Sequence, residues 1–119
     1  EKARQVFIKF AEAGVLNDCL TVADSLEMSM KHLHGHAGSQ SDGTKEIYSQ
    51  VRDLLKRHGV TVIDAIGKKF NPMEHEAIDK IEVREEDKDN TVIEELQKGW
   101  YLYEKVLRPA KVRVGNYKK

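Results

Sequence analysis

The chain has 119 residues, with 20 basic and 20 acidic side chains, 34% charged residues and a mean hydropathy of -0.61. That length holds one domain or two small ones, and so polar a chain suits exposed helices or a subunit that completes its core by oligomerising. Zero net formal charge speaks against a nucleic-acid partner, which would show a basic excess, and no apolar run approaches the length of a membrane span. The lone Cys19 cannot form an internal disulfide, which points to a reducing compartment.

Residues 1–33 read as one helix, with Val6, Phe7, Phe10, Leu16, Leu20, Ala23, Leu26, Met30 and Leu33 on one stripe and Lys2, Arg4, Lys9, Glu12, Asp18 and Glu27 opposite. No capping signal precedes Glu1 and the helical pattern is already running there, so the native helix is expected to start further upstream. Gly14 is a weak point, worth about 1 kcal/mol against Ala in a helix interior. Residues 34–43, rich in glycine and serine, break the periodicity and predict a flexible connection. Asp42 or Thr44 can cap a second helix over 45–58, with Ile47, Tyr48, Val51, Leu54 and Leu55 on its apolar face and Gly59 as its stop. Two helices joined this way pack antiparallel but bury little core, which a second copy of the chain, making four helices, would remedy.

From Val60 the pattern changes to period two. Val60, Val62 and Ala65-Ile66 form a first strand candidate. Ile78, Ile81 and Val83, then Val92-Ile93, Tyr101 to Tyr103, Val106, and Val112 with Val114 supply the rest. Turn residues separate them at Gly67-Lys68-Lys69, Asp87 to Asn90, Lys98-Gly99 and Arg108-Pro109, which predicts a small, mostly antiparallel β domain. Residues 94–97 are compatible with a helical turn, and residues 116–119 with a frayed tail.

Two histidine-bearing segments invite chemistry. His32, His34 and His36 alternate, but the glycines around them leave no organised set of four ligands, so a solvated loop is the default and no metal is assigned. His75, between Glu74 and Glu76, has the makings of a general base. Yet no nucleophile motif, P-loop, dinucleotide fingerprint, CxxC pair or HExxH motif accompanies it, so the chain is read as no enzyme, without catalytic residues or cofactors. The plainer reading makes His75 a polar anchor tying its loop to the sheet, with Pro72 holding Asn71 out of the α region. Gly99 before Trp100 suggests a bulge or a close backbone approach, with Trp100 a core filler; Arg108 is either a salt-bridged surface residue or an interface contact.

The most informative stretch is Phe70-Asn71-Pro72-Met73-Glu74-His75-Glu76-Ala77-Ile78, because Thr91-Val92, then Glu95 to Trp100, then Val106 to Val112 follow it at fixed spacing. In that order these segments resemble the C-terminal domain of the GrpE family, nucleotide-exchange factors of DnaK-type 70-kDa heat-shock chaperones. In the helical half, Lys9-Phe10-Ala11, Asn17 to Leu20 and Val22 to Glu27 look like the end of the long GrpE helix. Asp42-Gly43 and Val51 to Val60 look like the short helices that follow. The resemblance implies an α+β fold. Residues 1–59 would be a helical dimerisation region contributing to a four-helix bundle in a homodimer, and residues 60–119 a β domain that contacts the chaperone.

It also implies roles for particular residues. Phe10, Leu16, Leu20, Leu26, Val51, Leu54 and Leu55 would line the dimer interface. Gly43, Phe70, Pro72, Leu96 and Val114 would match chaperone-facing positions, with Arg108 at the rim. Departures from the family pattern are Asn71 for Asp, Lys111 for Met, Trp100 for Tyr or Phe, and His58 for a more apolar helix end. The implied action is to hold the ATPase domain open so that ADP leaves and ATP enters. Residues 22–26 look more like mitochondrial members, while residues 94–99 also look bacterial or plastid-like. The expected compartment is therefore the mitochondrial matrix, with the protein-import motor as a further partner there, and the plastid stroma or bacterial cytoplasm as alternatives.

Overall fold

The first helical pattern is interrupted rather than continuous. The computed structural model describes residues 2–32 and 39–118, and in it helix α1 (Lys2–Phe10) is separated from α2 (Ala13–His32) by a turn at Ala11 and Glu12. At the break the Ala11 N–H reaches back only three residues, to the Ile8 carbonyl at 3.5 Å, before the Leu16 N–H restarts the α ladder on the Glu12 carbonyl at 2.9 Å. Gly14 falls in the first turn of the new helix, beside the break, where its low helix propensity weakens continuity.

Helix α3 (Ser39–Arg57) starts earlier than the expected Lys45. Gly43 lies inside it rather than in a loop, and one interior glycine is tolerated because propagation adds a hydrogen bond for every residue fixed. Residues 33–38 of the expected connection, with His34 and His36, lie outside the described residues. Gly59 ends the segment as expected: its φ is 85°, and its N–H bonds to the Lys56 carbonyl at 3.0 Å.

The chain divides into two compact units, residues 1–61 and 62–119. In the first, Tyr48 on α3 donates its hydroxyl to Glu27 late in α2, while His58 just past α3 meets Glu12 just before α2 at 3.3 Å. Those two crossings make α2 and α3 antiparallel. Leu16, Leu20 and Ala23 on α2 and Tyr48 and Leu55 on α3 are the buried apolar stripes of this pair.

The strands are β1 (Val60–Val62), β2 (His75–Val83), β3 (Val92–Gln97), β4 (Trp100–Leu102), β5 (Lys105–Arg108) and β6 (Ala110–Tyr117), in two three-stranded sheets ordered β1–β4–β5 and β2–β6–β3. The pairings of β3 with β6 and of β4 with β5 are antiparallel, but β2 runs parallel to β6 from His75 opposite Ala110 to Val83 opposite Tyr117. Alternation along β6 turns Ala110, Val112 and Val114 inward, where they join Ile63, Ala65 and Val92, with Phe70 and Tyr101 packed against them.

Three local expectations change. Ala65-Ile66 lie beyond the end of β1, in a turn where Gly67 takes φ 84° and bonds to Val92. Residues 94–97 are strand rather than helical turn, because β6 supplies their pairing partners. Asn116 and Tyr117 are not frayed: they continue the β2 ladder, and the Tyr117 N–H bonds to Asp89 Oδ1 at 2.9 Å.

Gly99 is needed for space. A Cβ there would run into the Ala110 backbone nitrogen and lie 2.8 Å from the Pro109 carbonyl carbon, so the close backbone approach anticipated at this glycine is present.

Candidate functional site

The signature segment folds into a turn closed on itself. Asn71 Oδ1 accepts from the Met73 N–H at 3.0 Å, and the Asn71 carbonyl accepts from the N–H groups of Glu74 at 3.0 Å and His75 at 2.8 Å. The Asn71 N–H in turn donates to Nδ1 of His75 at 3.0 Å. His75 is 4% exposed, and its ring lies 5.9 Å from that of Phe70. The anchor reading of His75 is thereby realised.

Outside bonds hold this turn to the sheet. The Glu74 carbonyl accepts from the Ala110 N–H at 3.0 Å, and Glu74 Oε1 accepts from the Tyr101 hydroxyl at 2.5 Å. That carboxylate, together with burial and its negative charge, pushes the Tyr101 hydroxyl from 10.0 up to about 12. Nearby, Arg108 donates from Nε and Nη2 to the Lys98 carbonyl at 3.2 and 2.6 Å, bracing the crossing next to Gly99.

At the tip, Pro72 is exposed and Met73 is 78% exposed. Sequence reasoning named Pro72 but passed over Met73; the available signal was an apolar residue directly after Asn71-Pro72, inside a turn that leaves it no core to enter. Phe70 and Val114, expected to face a partner, lie against the core of the β unit, Phe70 half-buried and Val114 buried. Val114 is 4% exposed because it shares the inward phase of β6 with Ala110 and Val112, and Phe70 packs against the same cluster. Leu96 and Arg108 are half-buried. Gly43 lies in α3 of the helical unit with open space where a Cβ would stand.

The helical unit carries a second candidate surface. Leu16, Leu20 and Leu55, expected at a dimer interface, are buried within the single chain. Phe10, Leu26 and Val51 are half-buried, and Leu54 is exposed. Exposed apolar side chains instead recur at Ile8 on α1 and at Val15 and Val22, seven residues apart on α2, with Val15 68% and Val22 54% exposed; half-buried Cys19 lies between the latter two and half-buried Leu26 one turn beyond. On α3, Ile47 and Leu54 repeat the pattern. Helices α2 and α3 thus each have two apolar faces, one against its neighbour and one open; the stripe read from the sequence passed over Val15 and Val22 on α2 and merged the two faces on α3.

Elsewhere, a cleft of about 400 Å³ is lined by residues that include Lys69, Asp87 and Thr91. Lys69 Nζ there donates to the carbonyls of Asp87 at 3.2 Å and Asp89 at 2.9 Å, a loop-bracing role. Among the described residues, no three His, Cys, Asp or Glu side chains are grouped so as to hold a metal ion. No described helix is long and apolar enough to cross a membrane.

A family model described as GrpE matches residues 1–116. Protein GrpE of Methanothrix thermoacetophila is 35% identical over 116 residues, which is 98% of this chain and 60% of that protein. Protein GrpE of Carboxydothermus hydrogenoformans is 37% identical over 114 residues, 96% of this chain and 58% of that protein. For Protein GrpE of Parageobacillus thermoglucosidasius the identity is 39% over 108 residues, 89% of this chain and 48% of that protein. The chain spans about half to three fifths of the length of these curated relatives. With its α+β architecture and the match along nearly its whole length, the chain belongs to the GrpE family.

Proposed function

We propose that this chain is a homodimeric nucleotide-exchange factor that binds the ATPase domain of a DnaK-type 70-kDa chaperone and promotes ADP release. The observation that carries the reading is the turn at residues 71–75, which holds Pro72 and Met73 outward on a closed set of hydrogen bonds. A preorganised apolar tip loses little freedom on docking, which suits it to press against another protein. Family membership supplies the partner class.

The two units divide the work. The open stripes of α2 and α3, through Val15, Cys19, Val22, Leu26, Ile47 and Leu54, pair with those of a second copy. In the other unit, Pro72, Met73 and Leu96 make the apolar contact and Arg108 braces its rim, while Phe70 and Val114 support it from the core. Gly43 marks a separate contact on the helical unit.

Action follows from linkage. A factor that binds the open chaperone conformer more tightly than the closed, ADP-bound one weakens ADP binding by the same ratio, and no residue of the factor touches the nucleotide. The function is therefore binding and not bond making. The relatives named above come from microbes, which favours a prokaryotic cytoplasm over the mitochondrial matrix and leaves the import motor without support.

Stopped-flow release of a labelled ADP from a DnaK-type chaperone tests the proposal. Acceleration that saturates with dimer concentration is expected. Binding without acceleration would make the chain an adaptor, and no binding at saturating concentration overturns the reading.

A further inference from the structure

We propose that Tyr103, at the tip of the β4–β5 hairpin, is an aromatic anchor of the docking surface, held in a left-handed backbone conformation so that its ring meets the chaperone ATPase domain alongside Pro72 and Met73. This rests on the function proposed above.

The backbone singles Tyr103 out. Leu102 pairs with Lys105, so Tyr103 and Glu104 are the whole loop of the hairpin. In the favoured two-residue loops the first residue takes a positive φ, which Gly, Asn or Asp adopts most readily. Tyr103 takes it, with φ 54°. One other non-glycine among the described residues does so, Asn90 at 58°, and asparagine is a type that enters this region. A bulky side chain in that region is strained, because its Cβ crowds the carbonyl that follows. Core packing does not explain the ring. Trp100 and Leu102, each 1% exposed, fill the buried face of β4, whereas Tyr103 is 44% exposed. A residue that strains the chain and leaves so much of itself in water is a poor choice for stability alone. Strain of this kind is kept where a site uses the side chain, and an aromatic ring with a polar tip suits a protein interface.

The hairpin adjoins the docking turn. Tyr101 donates its hydroxyl to Glu74, the residue after Met73. Val106 stands opposite Tyr101 on β5 and is 36% exposed, and cross-strand partners share a face. Tyr103 follows Tyr101 by two residues, about 7 Å of extended chain. A standard interface takes about 800 Å² of each partner, so a protein seated on Met73 extends over this face as well. That continuity assigns the ring to the ATPase domain. The stripes proposed for pairing with a second copy lie instead on α2 and α3, in the other compact unit. Tyrosine also suits the task because its ring gives a large contact area with few rotatable bonds to immobilise.

The test compares the parent protein with Tyr103→Asn, which accepts the left-handed turn and removes the ring, and Tyr103→Phe, which keeps both ring and strain. Tyr103→Asn is expected to unfold in urea at or above the parent midpoint, yet to bind the ATPase domain roughly tenfold more weakly in calorimetry. Tyr103→Phe is expected to keep the parent midpoint and to bind within about threefold of it. Parent-like binding by Tyr103→Asn overturns the proposal. So does a lower midpoint in that variant, which makes the ring a support of the fold, and so does equal weakening in Tyr103→Phe, which assigns the contact to the hydroxyl. Loss of the dimer by light scattering in Tyr103→Asn places the ring between two copies and also overturns it. Absence of binding by the parent protein is a different result: it defeats the exchange-factor reading, and the role of Tyr103 with it.

Discussion

Tyr101 donates its hydroxyl to Glu74 Oε1, twenty-seven residues earlier in the chain, and so binds strand β4 to the last residue before β2. Glu74 also receives the Ala110 N–H on its carbonyl, so one residue fastens the signature turn to two strands.

Tyr101→Phe removes that side-chain bond and leaves a part-buried carboxylate without its donor, at a cost of about 1–2 kcal/mol in urea unfolding. The pH dependence has a definite sign. The fold favours the neutral phenol, with a value of about 12 against 10.0 for an ordinary tyrosine. The stabilisation is complete below pH 10 and disappears as pH rises from 10 to 12, because over that span the unfolded chain gives up the proton first. The Phe variant should show a shallower loss of stability across the same window.

Gly99→Ala should destabilise the β unit by about 3 kcal/mol through overpacking. The added methyl meets the backbone of Pro109 and Ala110, not the movable end of a side chain, so relief requires the Lys98–Gly99 segment to move and the Arg108 clamp on the Lys98 carbonyl to loosen. Chemical unfolding monitored by Trp100 fluorescence measures this directly. Gly43→Ala, with open space around the new methyl, should leave the helical unit at least as stable.

The two faces of α2 predict opposite phenotypes. Val15→Asp with Val22→Asp should dissociate the proposed homodimer by light scattering while each chain keeps its α2–α3 contact. Leu20→Ala, at a position with no exposure, should cost roughly 2–5 kcal/mol of stability in the individual chain. Cys19 sits on the open stripe, so a mild oxidant should link two copies of the parent protein if the helices pair in parallel, and the double Asp variant should lose that link.

What the sequence made legible follows physical scale. The α+β class, the helix stop at Gly59 and the tight approach at Gly99 all came from local chemistry: periodicity, a left-handed φ and a missing Cβ. The division between faces of α3 did not, because Leu54 and Leu55 are both apolar and only the placement of α2 separates the buried position from the open one. The parallel partner of β2 escaped for a similar reason: Ala110 lies thirty-five residues beyond His75, and such a pairing leaves no turn signature between its strands. The burial of Val114 was not legible from its motif position either, because a matched position says nothing about strand phase, which places Val114 with Ala110 and Val112 in the core.

Met73 provides the sharpest test of the docking surface. Its side chain is the most exposed large apolar one among the described residues and makes little contribution to the core, so Met73→Ala should leave unfolding within about 0.5 kcal/mol of the parent. As an apolar anchor at a partner interface, the same truncation should weaken chaperone binding by roughly tenfold, with most of the change in the dissociation rate. Val114→Ala should do the reverse, since it hollows the core behind the turn and lowers stability before it touches any partner. Calorimetric binding to the ATPase domain, paired with urea unfolding of both variants, separates the two effects. If Met73→Ala binds like the parent, the contact lies on another part of the β unit, with Leu96 the next position to truncate.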